Sequence, residues 1–424
     1  MGKQLGENQS ECLKKGNIHK KRRKTVAFCY ACAHENNLQN REKYAILIKN
    51  AQEGNTVQVV RLTTEKQLKE FVNMADLLYV GDAFYVPYMR SDLIKTLKKL
   101  VLEERTYTAL AVEEKGKYLA RVLFTVAPSK QLELARCGFF SHFESVNDRA
   151  CSDMLLAEMC RLLKEDGVTY VEGTYFPYDQ DNRRGILVEG YEDEPMILTS
   201  YNPPYYAALL EGFGFHKDFD TVSYRLAYDR YDISRIEPLV EKVLERNRLY
   251  VAPVDFSHLD REIDDVHAVI EAATNDIIFQ DAPTREDIAR IVTGWKSFLW
   301  EDFIHICRRR EDDKPVGFVM SVPNYYTVFR GMKGKTNPIA LIKALYYKRR
   351  IRTVRAILQY VIPEYQSRGV NFALYHAMYL ACKKHGIDYA EAGTIMENNE
   401  PSRRNVERAS GVLNKIFRIY GREL

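Results

Sequence analysis

The residues best suited to chemistry lie in one short turn, Gln366-Ser367-Arg368-Gly369-Val370-Asn371. An apolar segment, residues 356–362, precedes the turn and predicts a strand, and a segment with helical periodicity follows it. A glycine where a helix begins lets backbone N–H groups approach a ligand closely. Those N–H groups and the positive end of the helix dipole favour a phosphate. We therefore predict a pyrophosphate site here, with Val361 and Ile362 at the end of the strand among its lining residues.

The turn matches neither G-x-x-x-x-G-K-[ST] nor G-x-G-x-x-G. Together with Pro363-Glu364-Tyr365 before it, it resembles motif A of the GNAT superfamily of acyl-CoA-dependent N-acyltransferases, in which Gln/Arg-x-x-Gly-x-Gly/Ala follows a strand. Asn371 stands here in place of the last small residue. The resemblance implies that the turn binds the pyrophosphate of CoA. An ordinary strand–turn–helix that happens to contain a glycine is the alternative.

Acyl transfer from a thioester to an amine requires a base, or a water path to one, because the attacking amine must be neutral. Glu391, on a predicted strand beside the strand that precedes the turn, is the candidate base; a salt bridge to an arginine is the alternative. Asn399 could hold a strand end or the CoA arm, or it could simply cap a helix before Pro401. Many GNAT enzymes protonate the departing thiolate with a tyrosine where this sequence has Val406, so either another residue supplies that proton or the lobe is not a catalyst.

Candidate acceptor-binding residues lie in the first half of the chain. The segment Tyr201-Asn202-Pro203-Pro204-Tyr205 could line an acceptor pocket, with Tyr201, Asn202 and Tyr205 as contacts, or it could be a rigid loop packed on the core. His142 is a further candidate, with a structural histidine as the alternative. Residues 325–335 mix aromatic and basic side chains. They could form a lid over an acyl chain, a peripheral membrane contact or a plain surface loop.

The elements that must position these residues occur twice. Gly167-Val-Thr-Tyr170-Val-Glu172 reappears as Gly386-Ile-Asp-Tyr389-Ala-Glu391. Each copy follows an amphipathic helix, predicted over residues 150–164 and 372–384, and each has a charged-turn hairpin upstream. The hairpins are predicted from residues 107–126 and 303–322. A repeat of this size indicates two domain-sized copies.

We divide the chain into a basic polar arm (1–55), a first GNAT-like lobe (56–228) and a second (229–424). The predicted class is α+β (mixed α/β), with a mostly antiparallel mixed sheet in each lobe flanked by helices. The first lobe's counterpart of the turn, residues 147–152, contains no glycine, so we expect only the second lobe to bind acyl-CoA. Over about 370 residues the sequence resembles tandem-GNAT proteins and, more weakly, bacterial ceramide synthases.

Composition limits which partners, cell compartment and metal the sequence predicts. The formal net charge of +4 is too small to indicate nucleic acid as a partner. No apolar run approaches the roughly 20 residues of a membrane span, and the N-terminus has no apolar secretory segment. Scattered cysteines indicate a reducing compartment, so we expect a cytoplasmic protein. Cys29 and Cys32 have C-x-x-C spacing but too few neighbouring ligands, so a zinc site is not expected.

The sequence thus predicts an N-acyltransferase that takes acetyl-CoA or a longer acyl-CoA as co-substrate. A small-molecule or lipid amine would be the acceptor. A catalytically silent GNAT scaffold that binds CoA or a small amine is the alternative.

Overall fold

The computed structural model describes residues 57–129, 131–175, 177, 182–227, 233–274 and 283–424. The predicted N-terminal arm, with Cys29 and Cys32, lies outside these residues. Within them the strands join into one sheet that is mostly antiparallel and is flanked by helices. The predicted α+β class is therefore confirmed.

The described part of the first lobe supplies seven strands and four α-helices. In chain order they are β1 (Gln58–Arg61), α1 (Glu65–Leu78), α2 (Arg90–Leu97), β2 (Thr108–Glu114), β3 (Lys117–Ser129), β4 (Leu134–Ser145), α3 (Arg149–Glu165), β5 (Tyr170–Gly173), β6 (Ile186–Glu189), α4 (Tyr206–Phe213) and β7 (His216–Ala227).

The described part of the second lobe supplies six strands and seven helices. In chain order they are α5 (Ile233–Asn247), β8 (Leu249–Pro253), α6 (Leu259–Thr274), α7 (Arg285–Trp295), β9 (Ile304–Arg309), β10 (Pro315–Pro323), α8 (Tyr326–Met332), α9 (Pro338–Lys348), β11 (Thr353–Val361), α10 (Val370–Lys384), β12 (Tyr389–Met396), α11 (Glu400–Arg408) and β13 (Val412–Glu423).

The predicted repeat is present in three dimensions. Each lobe has the expected antiparallel hairpin, β2 with β3 and β9 with β10. Each also has one parallel pair joined by a helix, β4 with β5 through α3 and β11 with β12 through α10. The two connecting helices begin within two residues of their predicted starts.

The last strand of each lobe pairs with the other lobe. The sheet order is β1-β2-β3-β4-β5-β13-β7-β12-β11-β10-β9-β8, with β6 paired to β13 off this path. Thus β7, which ends the first lobe in chain order, lies against β12, while β13 lies between β5 and β7. The boundary near residue 228 therefore divides the chain but not the sheet.

Polar contacts also join the lobes beside the sheet. The carboxylate of Glu194 accepts hydrogen bonds from the Arg330 guanidinium (3.1 Å) and the Thr353 hydroxyl (3.2 Å). The Asn324 amide donates to the carbonyl of Pro195 at 3.1 Å, and Arg355 donates to the carbonyl of Ile197 at 2.7 Å. Across the described residues, no helix combines the length and apolar character needed to cross a membrane.

Candidate active site

Hydrogen bonds fix the end of β11 and the start of the turn that follows it. Val361 pairs with Gly317 of β10, and the N–H of Ile362 donates to the carbonyl of Val316 at 3.0 Å. The side-chain amide of Gln366 reaches back to the carbonyl of Val361 at 3.1 Å. Val361, Ile362 and Gln366, which are among the residues predicted to line the pyrophosphate site, therefore hold the backbone of the turn in place.

The remaining turn residues lead into α10. Gly369 is the N-cap of α10 with φ of +88°, and Ser367 also has a positive φ, +61°. The N–H groups of Phe372 and Ala373 donate to the Gly369 carbonyl. The N–H groups of Val370 and Asn371 come earlier in the helix, where no intrahelical acceptor exists. Backbone of this shape at a helix N-terminus is suited to an anion.

Glycine is needed at position 369 for two reasons. Its φ lies in the left-handed region that side chains disfavour. A Cβ atom added there would also lie 2.8 Å from Cγ2 of Val243 on α5. Arg368, in contrast, is exposed, and its guanidinium lies 5.2 Å from the centre of the Tyr365 ring.

A wedge opens between β11 and β12 beside this helix end. The two strands pair in parallel from Thr353 opposite Tyr389 as far as Ala356 opposite Ala392, where the paired register ends. At the same level β11 carries one extra residue, Ile357, relative to β10. Such a β-bulge bends a strand and redirects its backbone groups. Past Ala356 and Ala392 the two strands continue without pairing to each other.

Tyr375 lies next to this wedge. It follows Asn371 by one turn of α10 and packs with Ala356 of β11 and Ile395 of β12 against one apolar cluster. Its hydroxyl lies near the side chain of Gln359, also on β11. Burial raises the pKa of Tyr375 above its usual value, so the phenol stays protonated and can donate. Sequence reasoning missed this residue.

The predicted base, Glu391, is held in a buried ion pair. Its Oε2 atom lies 2.6 Å from Nζ of Lys415, and about 1% of each side chain is exposed. The Ser223 hydroxyl donates to Oε1 and the Asn414 amide donates to Oε2, both at 3.0 Å. The arrangement favours a salt bridge over a free base, although the partner is a lysine and not an arginine.

Asn399 occupies the N-cap of α11. Its side-chain oxygen accepts a hydrogen bond from the N–H of Ser402 at 3.2 Å. This geometry favours the capping alternative for Asn399. Val406, on the same helix, is buried among apolar neighbours and offers no proton.

The first lobe presents a different helix end at the equivalent place. Asp148 is the N-cap of α3, and its carboxylate accepts a hydrogen bond from the N–H of Ala150 at 2.9 Å. A carboxylate at a helix N-terminus interacts favourably with the positive end of the helix dipole, and a bound phosphate would make that same interaction. Its negative charge would also repel a pyrophosphate.

The first lobe instead gathers a buried polar cluster around Glu144 near the end of β4. The hydroxyls of Tyr79 and Tyr206 donate to Oε2 of Glu144 at 3.0 and 2.6 Å. A guanidinium nitrogen of Arg121 lies 3.5 Å from Oε1. Burial raises the pKa of Glu144, and Arg121 and the two hydroxyls oppose that rise.

Three of the predicted acceptor residues lie around this cluster. His142, two residues before Glu144, sits at a bulge of β4 with φ of +50°, and its ring is 5.1 Å from that of Tyr88. Tyr201 packs near Tyr79 and donates its hydroxyl to Asp82 at 2.8 Å. The hydroxyl of Tyr205 donates to the carbonyl of Ser145 at 2.8 Å.

The fourth predicted acceptor residue, Asn202, braces the backbone. Its oxygen accepts from the N–H of Leu187 at 2.7 Å, and its amide donates to the carbonyl of Leu187 at 3.2 Å.

Burial and the charges of Arg121 and Arg183 lower the pKa of His142, so its ring is neutral at pH 7.

Arg183 connects the cluster to the second lobe. Its guanidinium stacks on the Tyr88 ring at 3.8 Å and donates to the Tyr326 hydroxyl of α8 at 3.1 Å.

The sequence does hold a signal for Glu144 and Arg121, since each is a charged residue inside a mostly apolar strand segment. Among the described residues, no group of three His, Cys, Asp or Glu side chains is arranged to hold a metal ion.

Comparison with known proteins agrees with this architecture. Residues 271–411 match the model of the acetyltransferase (GNAT) family. Protein YghO of Escherichia coli is 20% identical over 371 residues, which cover 85% of this chain and 94% of that protein. A bacterial ceramide synthase of Caulobacter vibrioides is 20% identical over 377 residues, which cover 86% of this chain and 97% of that enzyme.

Two solved structures share the fold. A tandem GNAT protein from the clavulanic acid biosynthesis pathway aligns with a TM-score of 0.50 and 11% identity, over 87% of this chain and 98% of that one. The GCN5-related glucosamine N-acetyltransferase region of a fungal GH3 β-N-acetylglucosaminidase aligns with a TM-score of 0.53 and 12% identity, over 87% of this chain and 38% of that one. The described part of the chain therefore shares the fold of a tandem GNAT protein, and its match to the GNAT family model lies in the second lobe.

Proposed function

We propose that this protein is an acyl-CoA-dependent N-acyltransferase whose acyl-CoA site lies in the second lobe. The observation that carries the proposal is the N-terminus of α10 beside the wedge between β11 and β12, inside the residues that match the GNAT family. The N–H groups of Gly369, Val370 and Asn371 would bind the pyrophosphate. The thioester would then lie in the wedge, near the bulge at Ile357.

The wedge offers part of what acyl transfer to an amine requires. A strand N–H at the bulge would stabilise negative charge on the carbonyl oxygen during attack. The Tyr375 hydroxyl would donate a proton to the departing thiolate. For the amine's proton, Glu391 stays a prediction, and its bonds to Lys415, Ser223 and Asn414 favour a water path to another group. Asn399 likewise stays a prediction, with helix capping favoured.

We place the amine acceptor on the first-lobe side, at the cluster of Glu144, His142, Tyr201 and Tyr205. Support comes from Arg183, which stacks on Tyr88 and bonds to Tyr326 of α8 in the second lobe; Tyr88 in turn packs on His142. A lipid amine is favoured over a small one by the similarity to a bacterial ceramide synthase, since ceramide is a lipid.

The first prediction tests the acyl-CoA site through Asn371→Asp. An added carboxylate at the N-terminus of α10 opposes a bound pyrophosphate, and we expect CoA affinity to fall roughly 10- to 100-fold. The same charge favours the helix dipole, so stability should hold or rise by up to about 1 kcal/mol. Isothermal titration of CoA should give one site per chain in the parent protein, because Asp148 opposes a second.

The matched control is Asn337→Asp, the same change at the N-cap of α9, where Asn337 accepts from the N–H of Ala340. It should leave CoA affinity unchanged. Equal affinity for CoA in Asn371→Asp and the parent protein would contradict the proposed site. Thiol release from acetyl-, octanoyl- and palmitoyl-CoA with pools of amines then tests turnover. Tight CoA binding without thiol release for any amine would favour the silent scaffold.

A further inference from the structure

Helix α9 turns its large apolar side chains away from the protein. Ile339, Leu341, Ile342, Leu345 and Tyr346 are each 53–70% exposed. Its inner side consists of the buried Ala340 and the half-buried Ala344 and Tyr347. A surface helix of a globular protein normally does the reverse. Five exposed apolar side chains on one short helix indicate a contact surface.

The chain segment that contains α9 carries charges of only one sign. Residues 314–363 contain ten lysines and arginines and no aspartate or glutamate. At 100° per residue, Ile342 and Leu345 lie at the centre of the outer face, and Lys343 and Lys348 lie at its two edges. Both lysines are exposed, as are Arg349 and Arg350 just beyond the helix.

The basic side chains are placed to extend along this outer face. The guanidinium of Arg350 lies 4.4 Å from the centre of the Tyr346 ring. Lysine and arginine can keep apolar stems beside such a face while their charged ends reach outward. An apolar face bordered only by positive charge complements a lipid surface that carries phosphate groups. It does not complement a protein surface of mixed charge as well.

Helix α9 is firmly held in this orientation. Asn337 caps its first turn, and Tyr347 packs so closely on Gly331 of α8 that a Cβ there would lie 2.2 Å from the ring. A four-residue link, 349–352, joins α9 to the start of β11. The acyl-CoA turn follows the other end of β11, about 30 Å away for nine residues of strand. The apolar face is thus at the end remote from the proposed pyrophosphate site.

We propose that α9 docks into the surface of a bilayer that contains anionic lipids. Ile342, Leu345 and their neighbours would enter the boundary between headgroups and acyl chains, and Lys343, Lys348, Arg349 and Arg350 would lie against lipid phosphates. The docking itself does not depend on the proposed function. Only the consequence that a membrane lipid amine reaches the proposed acceptor residues of the first lobe rests on it.

Flotation of the full-length protein with lipid vesicles tests this inference and is the second prediction. We expect binding to vesicles of phosphatidylcholine and phosphatidylglycerol (3:1), with a clear loss on pure phosphatidylcholine or in high salt. Ile342→Glu should weaken binding at least tenfold, and Lys343→Gln and Lys348→Gln about fivefold each. Ile291→Glu on α7 is the matched control, since Ile291 is 50% exposed, and it should bind like the parent protein.

Two further readouts separate the alternatives. Ile342→Trp should show a blue shift of its fluorescence with anionic vesicles, and CoA affinity should be the same in Ile342→Glu and the parent protein. Absence of vesicle binding by the parent protein would overturn the inference and leave the acyl-CoA proposal standing. A dimer in lipid-free buffer would also overturn the inference, if Ile342→Glu dissociates that dimer and lipid has no effect on it. A second copy of the chain would then cover α9.

Discussion

The ammonium group of Lys415 lies 2.6 Å from a carboxylate oxygen of Glu391, with almost no exposure of either side chain. Removing two charges from water is costly, and such a pair persists when each charge keeps its partner and its hydrogen bonds. Here Ser223 and Asn414 supply those further bonds. Glu391 on β12 and Lys415 on β13 are thereby joined across β7, the strand between them.

The third prediction concerns Glu391→Gln. The change leaves the Lys415 ammonium buried without its counter-charge, so we expect the free energy of unfolding to fall by about 3–5 kcal/mol. Urea unfolding measures this loss. Turnover per folded molecule should stay within a few-fold of the parent value.

The double variant Glu391→Gln/Lys415→Met provides the control. It removes both charges and should recover much of the lost stability, since replacing a buried pair by apolar groups is often neutral. A general base behaves differently: its loss would lower kcat about 10²- to 10⁴-fold in the single and the double variant alike. That result would support the prediction that Glu391 is the base.

The fourth prediction concerns Tyr375→Phe. If the Tyr375 hydroxyl donates to the departing thiolate, its removal should lower kcat roughly 10²-fold or more, while CoA affinity changes less than twofold. Burial raises the pKa of Tyr375, so its hydroxyl stays protonated over the usual assay range and the variant should keep the shape of the pH–rate profile. Tyr379→Phe, one turn further along α10, is the matched control. An unchanged kcat in Tyr375→Phe would assign the proton to another group.

At the scale of elements, the sequence predicts those strands, helices and turns that depend on a local pattern of residues. The β2–β3 hairpin and the helices α3 and α10 were expected from periodicity and turn residues, and all three are present close to their expected bounds. The turn at Gly369 was also recognisable, because a helix start with a left-handed N-cap restricts residue choice. Each of these features depends on residues that are neighbours in the chain.

Features that depend on distant residues were not predictable from pattern. The segment His216–Ala227 reads as a strand, but nothing in it specifies that β12 will be its partner. The cluster around Glu144 combines Tyr79, Arg121 and Tyr206 from three other elements. Lys415 similarly gives no sign in its own segment that it neutralises Glu391. Single candidate residues such as Gly369, His142 and Tyr201 can therefore be selected from the sequence, whereas the contacts that bring Tyr79, Arg121 and Tyr206 to Glu144 cannot.

At the scale of the whole molecule, the two lobes share one sheet and are not linked only by a tether. Because β7 and β13 are adjacent and each pairs with the other lobe, neither sheet half is complete without the other. The contacts of Glu194, Asn324 and Arg355 connect the same two lobes beside the sheet. Opening one lobe would leave strand edges of the other unpaired, which costs free energy where the backbone is buried.

The fifth prediction follows from this shared sheet. Many multidomain chains unfold in separate steps, but here we expect one cooperative transition for the described residues of both lobes. Differential scanning calorimetry should give a single peak whose calorimetric and van't Hoff enthalpies agree. The Glu391→Gln variant sharpens the test, since Glu391 belongs to the second lobe and Ser223, its partner on β7, belongs to the first. If the lobes are coupled, the variant lowers the midpoint of the whole peak. Two peaks, of which only one moves in the variant, would show that the exchanged strands do not make the lobes a single folding unit.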